Sequence, residues 1–223
     1  MLASDIKTFV ESLIDDEIEE TLFLTLLNVA KDNIEEELEW EVLKSWDRSL
    51  AWNPGDTYLT VKTLPSDFRS MFGDGVIYLG EDNPYFPVPF KDLYRYRNFS
   101  NKYAIDHLNN KLYILGSEAV QYTINLPYLK NTPELTLSTE WLFPSRFHKL
   151  LAFRVAGYYT SGVDADDIYA RMSQAHRIAA SEIENNLRKW NTRLALISMD
   201  NSSSPFLAND ENPVNRLSAS DLN

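Results

Sequence analysis

The spacing of apolar residues changes twice along the chain, and these changes limit the architectures that the sequence can adopt. Apolar residues recur every three or four positions in residues 4–36 and again in residues 145–197, which predicts amphipathic helices near both ends. Between them, residues 56–130 contain short runs that alternate apolar and polar residues, as strands do. A polar segment rich in serine, asparagine and proline follows at residues 200–223.

Two helices are predicted before residue 37. The first covers residues 4–14 and the second covers residues 16–36, with Asp15 and Asp16 available to cap the second. Acidic residues should lie mainly on the solvent face of the second helix. We expect its inward face to be formed by Ile18, Leu22, Leu26, Val29 and Ala30.

A helix hairpin is predicted in the last third of the chain. Pro144 suits the first turn of a helix, Gly162 ends that helix, and a second helix runs from about residue 165 to Ile197. Because the connection is short, we expect the two helices to pack antiparallel.

The middle region predicts a small antiparallel sheet. Residues 120–126 alternate most regularly, and Asn109-Asn110-Lys111 is typical of a hairpin turn that enters a strand at residues 112–115. Pro84, Pro87 and Pro89 predict an irregular connection, since proline cannot donate a hydrogen bond to a sheet ladder.

These elements predict an α+β fold. We expect an α-helical bundle made of the N-terminal helices and the C-terminal helix hairpin, with an inserted small antiparallel β module and an extended C-terminal tail. The predicted division places residues 1–55 and 131–199 in the bundle, 56–130 in the β module and 200–223 in the tail.

The net charge of -12 is concentrated at the N-terminus. Residues 1–40 hold 12 acidic and 2 basic side chains, a balance of -10, and the other 183 residues have 21 acidic and 19 basic ones. This charge has two interpretations: a solvated helix face, or a surface that repels nucleic-acid phosphates. The predicted acidic patch, lining a channel or an outer surface, comprises Glu17, Glu19, Glu20, Glu35, Glu36, Glu37 and Glu39.

One stretch interleaves aromatic and basic residues. Tyr94, Arg95, Tyr96 and Arg97 follow one another, and tyrosine and arginine are favoured at protein interfaces. The same mixture can bind single-stranded nucleic acid by stacking. We prefer the protein-interface interpretation.

The sequence offers little for catalysis. It has no cysteine, no glycine-rich phosphate loop and no nucleophile elbow, and its three histidines lack the spacing of a metal site. We therefore expect no enzyme activity, no cofactor and no metal. An acidic hydrolase remains an alternative, although no spacing predicts two converging carboxylates. No signal peptide or long apolar run is visible, so no membrane association is expected.

Three local patterns carry a family resemblance, together with the order of elements over roughly residues 5–195. The first is Leu64-Pro65-Ser66-Asp67-Phe68. The second is the segment 122–130, followed by Pro133 and Leu135. The third is Trp141-Leu142-Phe143-Pro144 before Leu150-Leu151-Ala152, with Tyr169 and Met172 further on. In this combination the chain resembles bacteriophage head-to-tail adaptors, the head-completion or portal-adaptor proteins that include gatekeeper-like tail tube subunits.

The resemblance implies a virion structural protein at the head–tail interface, made in the host cytoplasm. It implies a homo-oligomeric ring, usually a dodecamer, that binds the portal protein and tail or nozzle proteins. Such a ring extends the channel through which double-stranded DNA passes without sequence-specific binding. Under this reading the tail extends towards the portal, and its candidate contacts are Phe206, Leu207, Leu217 and Leu222. The alternative is a tail or baseplate protein that binds a receptor glycan or other tail proteins through its aromatic β module.

Overall fold

A computed structural model describes residues 1–53, 59–116, 120–162 and 167–200, without the side chains of residues 162, 167–170 and 198–200. The chain forms two units. The helical unit comprises Met1–Val42 and the described residues from Thr132 onwards, and the sheet unit comprises Leu43–Asn131.

The helical unit begins with helices α1, Ala3–Ile14, and α2, Glu20–Glu37. Helix α1 buries Ala3, Ile6, Val10 and Ile14, which recur at helical spacing. It ends at Asp15, whose φ of 56° is the left-handed conformation that stops a helix. The two N-terminal helices predicted from the sequence are therefore present.

The predicted inward face of α2 is correct only in part, because Ile18 and Ala30 are buried but Leu22 and Val29 are not. Leu22 and Val29 are 44% and 46% exposed. The apolar residues that α2 buries are Phe23, Leu27, Ala30 and Ile34. Both stripes have helical spacing, so the periodicity alone could not decide which one faces the core.

Helices α3, His148–Gly162, and α4, Asp167–Asp200, complete the helical unit, with a 3-10 turn at Ser145–Phe147 before α3. The rings of Phe147 and Trp190 lie 5.5 Å apart, and Ser173 donates a hydrogen bond of 3.5 Å to the carbonyl of Gly157. The turn before α3 thus contacts a late residue of α4, and a late residue of α3 contacts an early residue of α4, so the predicted antiparallel hairpin is confirmed.

Among its described residues, the sheet unit contains nine strands and the 3-10 segment Phe90–Tyr96. The strands are β1 (Lys44–Asp47), β2 (Ala51–Trp52), β3 (Leu59–Thr63), β4 (Phe68–Met71), β5 (Ile77–Leu79), β6 (Asn83–Pro87), β7 (Lys102–Asp106), β8 (Lys111–Leu115) and β9 (Tyr122–Lys130). The 3-10 segment Glu41–Leu43 comes just before these strands, and only its last residue belongs to the sheet unit.

Strand β9 organises the sheet. It pairs antiparallel with β1, β2, β4 and β5, and the sheet continues in the order β5-β6-β7-β8-β3. Among the strand pairs that the structure describes, β6–β7 alone is parallel. Residues 124–129 are all buried, so both faces of β9 are covered along this stretch. A continuous core that includes Trp52, Ile77, Tyr85 and Ile124 packs within the curled sheet.

The predicted fold class, a helical bundle with a small inserted β module, is wrong. The protein is a mixed α/β structure with a nine-strand curled sheet. Strands β1 and β2 lie within residues 1–55, which the predicted division places in the helical bundle. Strand β6 contains Pro84 and Pro87, which were predicted to form an irregular connection. Strands of two to five residues show too little alternation to be recognised before their partners are known.

Candidate interaction surfaces

The 3-10 helix Phe90–Tyr96 presents an aromatic and basic surface of the sheet unit. Its inner residues, Leu93 and Tyr96, pack against Ala104 on β7 and Leu115 on β8. The intervening residues point outwards, so that Tyr94 is 78% exposed and the Arg95 side chain is 83% exposed. The packed inner side holds the outer residues on a fixed support.

Further aromatic residues extend this surface. Phe86 and Phe90 are 44% and 42% exposed, and Phe99 is 57% exposed. The ammonium of Lys102 lies 5.1 Å from the ring centre of Phe86, which is a cation–π distance. We call the following set the aromatic-basic surface: Phe86, Phe90, Tyr94, Arg95, Arg97 and Phe99.

The charge of this region is opposite to that of the whole chain. Residues 86–102 contain four basic side chains and one acidic one, Asp92, a balance of +3. Asp92 forms an exposed ion pair of 3.2 Å with Arg95. Large exposed aromatic groups beside basic ones mark a contact surface more often than a solvated one.

The four predicted interface residues are not equally exposed in the structure. Tyr94, Arg95 and Arg97 are exposed, whereas Tyr96 is half-buried and supports the 3-10 helix from within. Sequence reasoning missed Phe86 and Phe90. The sequence held no signal for them, because Tyr85 lies between the same prolines as Phe86 and is fully buried.

The predicted acidic patch does not form one continuous surface. Glu17, Glu19 and Glu20 are exposed around the start of α2, and Glu36, Glu37 and Glu39 are exposed around its end. An 18-residue helix is about 27 Å long, so the two groups lie at opposite ends. The Glu19 carboxylate accepts a hydrogen bond of 2.8 Å from the Leu22 amide, and such bonds to the backbone amides of Thr21 and Leu22 lower the pKa of Glu19.

Glu35, assigned to the same patch, is buried and only 3% exposed. Its carboxylate accepts hydrogen bonds of 2.7 and 2.9 Å from the Thr132 hydroxyl and one of 2.9 Å from the Trp141 indole. The Thr132 hydroxyl in turn accepts a bond of 3.1 Å from the Lys31 ammonium. Burial raises the pKa of Glu35 despite these bonds. Glu35 is therefore part of the internal structure of the helical unit.

A cleft of about 310 Å³ lies between α3 and α4. Its lining includes Arg154, Tyr158, Arg177 and Glu184, and Glu184 is the one carboxylate among the lining residues that the structure describes. Glu184 is ion-paired with Arg154 and Arg188, which lowers its pKa against the opposing effect of burial. This arrangement lacks the second carboxylate that hydrolysis of a glycosidic bond requires.

Within the described ranges, no group of three or more histidine, aspartate or glutamate side chains could hold a metal ion. None of the helices found there is long and apolar enough to cross a bilayer. The predicted portal contacts, Phe206, Leu207, Leu217 and Leu222, lie outside the described residues.

Comparison with known proteins adds to these observations. No curated protein matches the sequence significantly. A family model described as the SU10 adaptor protein matches residues 1–197, which is most of the chain. The chain therefore belongs to the SU10 adaptor proteins, a family of bacteriophage head–tail adaptors.

Proposed function

We propose that the protein is a portal adaptor, which forms a ring between the portal and the tail and extends the DNA channel. The family match over residues 1–197 carries this proposal, because an adaptor of the virion acts by contacting other phage structural proteins. The described residues offer two charged surfaces of opposite sign for such contacts.

The charge of the N-terminal region suits a conduit for DNA. In a dodecameric ring the balance of -10 in residues 1–40 would be repeated in every copy. A wall of that sign repels phosphates and allows double-stranded DNA to slide without sequence-specific binding. The proposed arrangement places the exposed acidic residues at the end of α2, Glu36, Glu37 and Glu39, towards the channel.

Contact with the portal protein is assigned to the C-terminal tail, with Phe206, Leu207, Leu217 and Leu222 as anchors. Deletion of residues 200–223 should abolish binding to the purified portal protein. A matched control keeps the length and replaces only the acidic Asp210 and Glu211 with serine, which should bind as the wild type does. Unchanged binding by the deletion variant would remove the tail from this role.

The ring itself is tested by native mass spectrometry and negative-stain images of the full chain, alone and with the portal protein. A closed ring on the portal is the expected result, whether or not the free protein is monomeric. A protein that stays a single particle in the presence of both portal and tail proteins would refute the proposal.

Binding of a receptor glycan is the second candidate, and the exposed rings of Phe86, Phe90, Tyr94 and Phe99 favour it, since sugars stack on aromatic faces. A glycan array with the isolated protein separates the two functions. An adaptor should give no signal, and specific binding that is lost in Tyr94→Ala would support the glycan receptor role.

A further inference from the structure

We propose that the aromatic-basic surface of one copy binds the acidic start of α2 in the next copy, and that this contact joins neighbouring subunits of the ring. The inference rests on the proposed ring and names the surfaces that form it. We call residues 15–20 the acidic turn.

The aromatic-basic surface is built for contact with a macromolecule. Four aromatic rings between residues 86 and 99 are 42% to 78% exposed, although aromatic side chains gain free energy when they leave water. Phe90 and Tyr94 lie on a 3-10 helix whose inner side packs on β7 and β8, and Phe86 lies on strand β6, so little order has to be gained on binding. Such rigid aromatic groups beside arginine are the usual centres of protein interfaces.

The charge of this surface selects a negative partner. The balance is +3 over residues 86–102 of a chain whose net charge is -12. Arg97 is fully on the solvent side, and the Arg95 side chain is 83% exposed apart from its ion pair with Asp92. Electrostatic complementarity of this kind fixes the register of a contact and excludes partners of like charge.

The acidic turn has the opposite charge and a matching chemistry. Five of its six residues are acidic and exposed, none is basic, and the sixth, Ile18, is buried and holds the turn in place. Leu22, 44% exposed, follows directly and offers an apolar side chain to the exposed rings. Glu17 and Glu20 carry their charge outwards next to it.

Duplex DNA is the other negative partner that this charge could attract. It fits less well, because base stacking on aromatic rings needs unpaired bases, and because the chain as a whole repels phosphates. The two protein surfaces consist of different residues, so the contact is heterologous. Such a contact closes into a ring when the rotation from one copy to the next divides a full turn.

The test uses charge reversal in the full chain, assembled on the purified portal protein and followed by sedimentation velocity. One variant carries Arg95→Glu with Arg97→Glu, which changes the balance of residues 86–102 from +3 to -1. A second carries Asp15→Lys, Glu17→Lys and Glu20→Lys, which changes the acidic turn from -5 to +1. Each alone brings like charges together and should assemble at least about 10-fold more weakly than the wild type. An equal mixture of the two should recover assembly, because each altered surface then meets its complement in alternating copies.

The variant Lys189→Glu with Arg193→Glu is a matched control, because it changes the net charge by as much as Arg95→Glu with Arg97→Glu. It does so on the exposed side of α4 and should assemble as the wild type does. Circular dichroism confirms that each variant is folded. The inference is wrong if the mixture does not recover assembly, if the control fails equally, or if both variants assemble normally on their own. Loss of duplex DNA binding in Arg95→Glu with Arg97→Glu, with assembly intact, would assign the surface to DNA instead.

The proposed function fails separately. If the wild-type protein forms no ring with the portal protein, the adaptor role and this inference are both refuted. If the ring forms and is indifferent to all the reversals, the adaptor role stands and only the assigned surfaces are wrong.

Discussion

The indole N–H of Trp141 donates a hydrogen bond of 2.9 Å to the carboxylate of Glu35, and both side chains are 3% exposed. The two residues are 106 positions apart, so the bond ties the segment before α3 to helix α2. Thr132 and the almost fully buried Lys31 complete the network, which gives the buried carboxylate donors and a nearby cation. A buried charge is tolerated only when it is satisfied in this way.

Replacement of Glu35 should therefore destabilise the protein. We expect Glu35→Ala to lower the free energy of unfolding by about 2–4 kcal/mol, because the donors of Thr132 and Trp141 lose their acceptor and Lys31 loses a nearby negative charge. The exposed neighbour in Glu36→Ala is the control and should change it by less than about 0.5 kcal/mol. Urea unfolding measures both, and equal effects would show that the network contributes nothing.

The pH dependence of stability should differ in sign for Glu35 and Glu184. Burial raises the pKa of Glu35, so its contribution is present below the unfolded pKa and is lost as pH rises through the folded one. Burial also opposes ionisation of Glu184, but bonds from Arg188 and Arg154 lower its pKa, so its contribution is lost as pH falls.

This difference is measured with the isosteric variants. We compare the free energy of unfolding of the wild type with that of each variant between about pH 4 and pH 7. The difference between the wild type and Glu35→Gln should decrease as pH rises, and the difference between the wild type and Glu184→Gln should increase. Urea unfolding at both pH values gives the four differences. Parallel trends for the two variants would contradict the assignment.

His148 joins the N-terminus to the segment before α3. Its ring nitrogens lie 3.1 Å from the Met1 carbonyl oxygen and 2.7 Å from that of Phe143, and the side chain is 1% exposed. His148→Ala removes both contacts and leaves a cavity, so we expect a loss of about 2–4 kcal/mol in the free energy of unfolding. The exposed His107 is the control, and His107→Ala should change thermal stability little. A similar shift in melting temperature for both variants would exclude this role.

Two glycines should respond oppositely to alanine. A methyl group on Gly116 would overlap the hydroxyl of Tyr85, which is fully buried and cannot move into solvent. Gly116→Ala should lower the free energy of unfolding by about 1–3 kcal/mol.

Gly157 lies inside α3, and its nearest neighbour, the Arg177 Cγ atom, would be 4.0 Å from the added carbon. Gly157→Ala should stabilise by up to about 1 kcal/mol, because alanine favours helix. Thermal unfolding that ranks the two in the reverse order would contradict the packing.

The helices could be predicted because their signal is local. Buried positions in α1 recur within 12 residues, and the hairpin of α3 and α4 follows from two periodic stretches around Gly162. The sheet could not be predicted in the same way. Asp47 pairs with Leu126, and Trp52 pairs with Tyr122, so the strands β1 and β2 exist only through partners about 70 residues or more away.

The candidate surfaces show the same division. Tyr94, Arg95 and Arg97 could be proposed from their residue types, and the structure exposes them. Tyr96 and Glu35 were proposed on the same grounds of residue type. Tyr96, however, supports the 3-10 helix from within, and Glu35 is buried. Residue type indicates which groups can bind a partner, and burial decides which of them can reach it.

By itself the amino-acid sequence determined the helical segments, the excess of negative charge near the N-terminus and the shortage of reactive groups, since each depends on neighbouring residues or on composition alone. Only the tertiary structure decided the size of the sheet, the inward face of α2 and the burial of Glu35. These depend on contacts between distant residues, such as the Trp141–Glu35 bond, and two apolar stripes on one helix are equivalent until a neighbouring helix covers one of them.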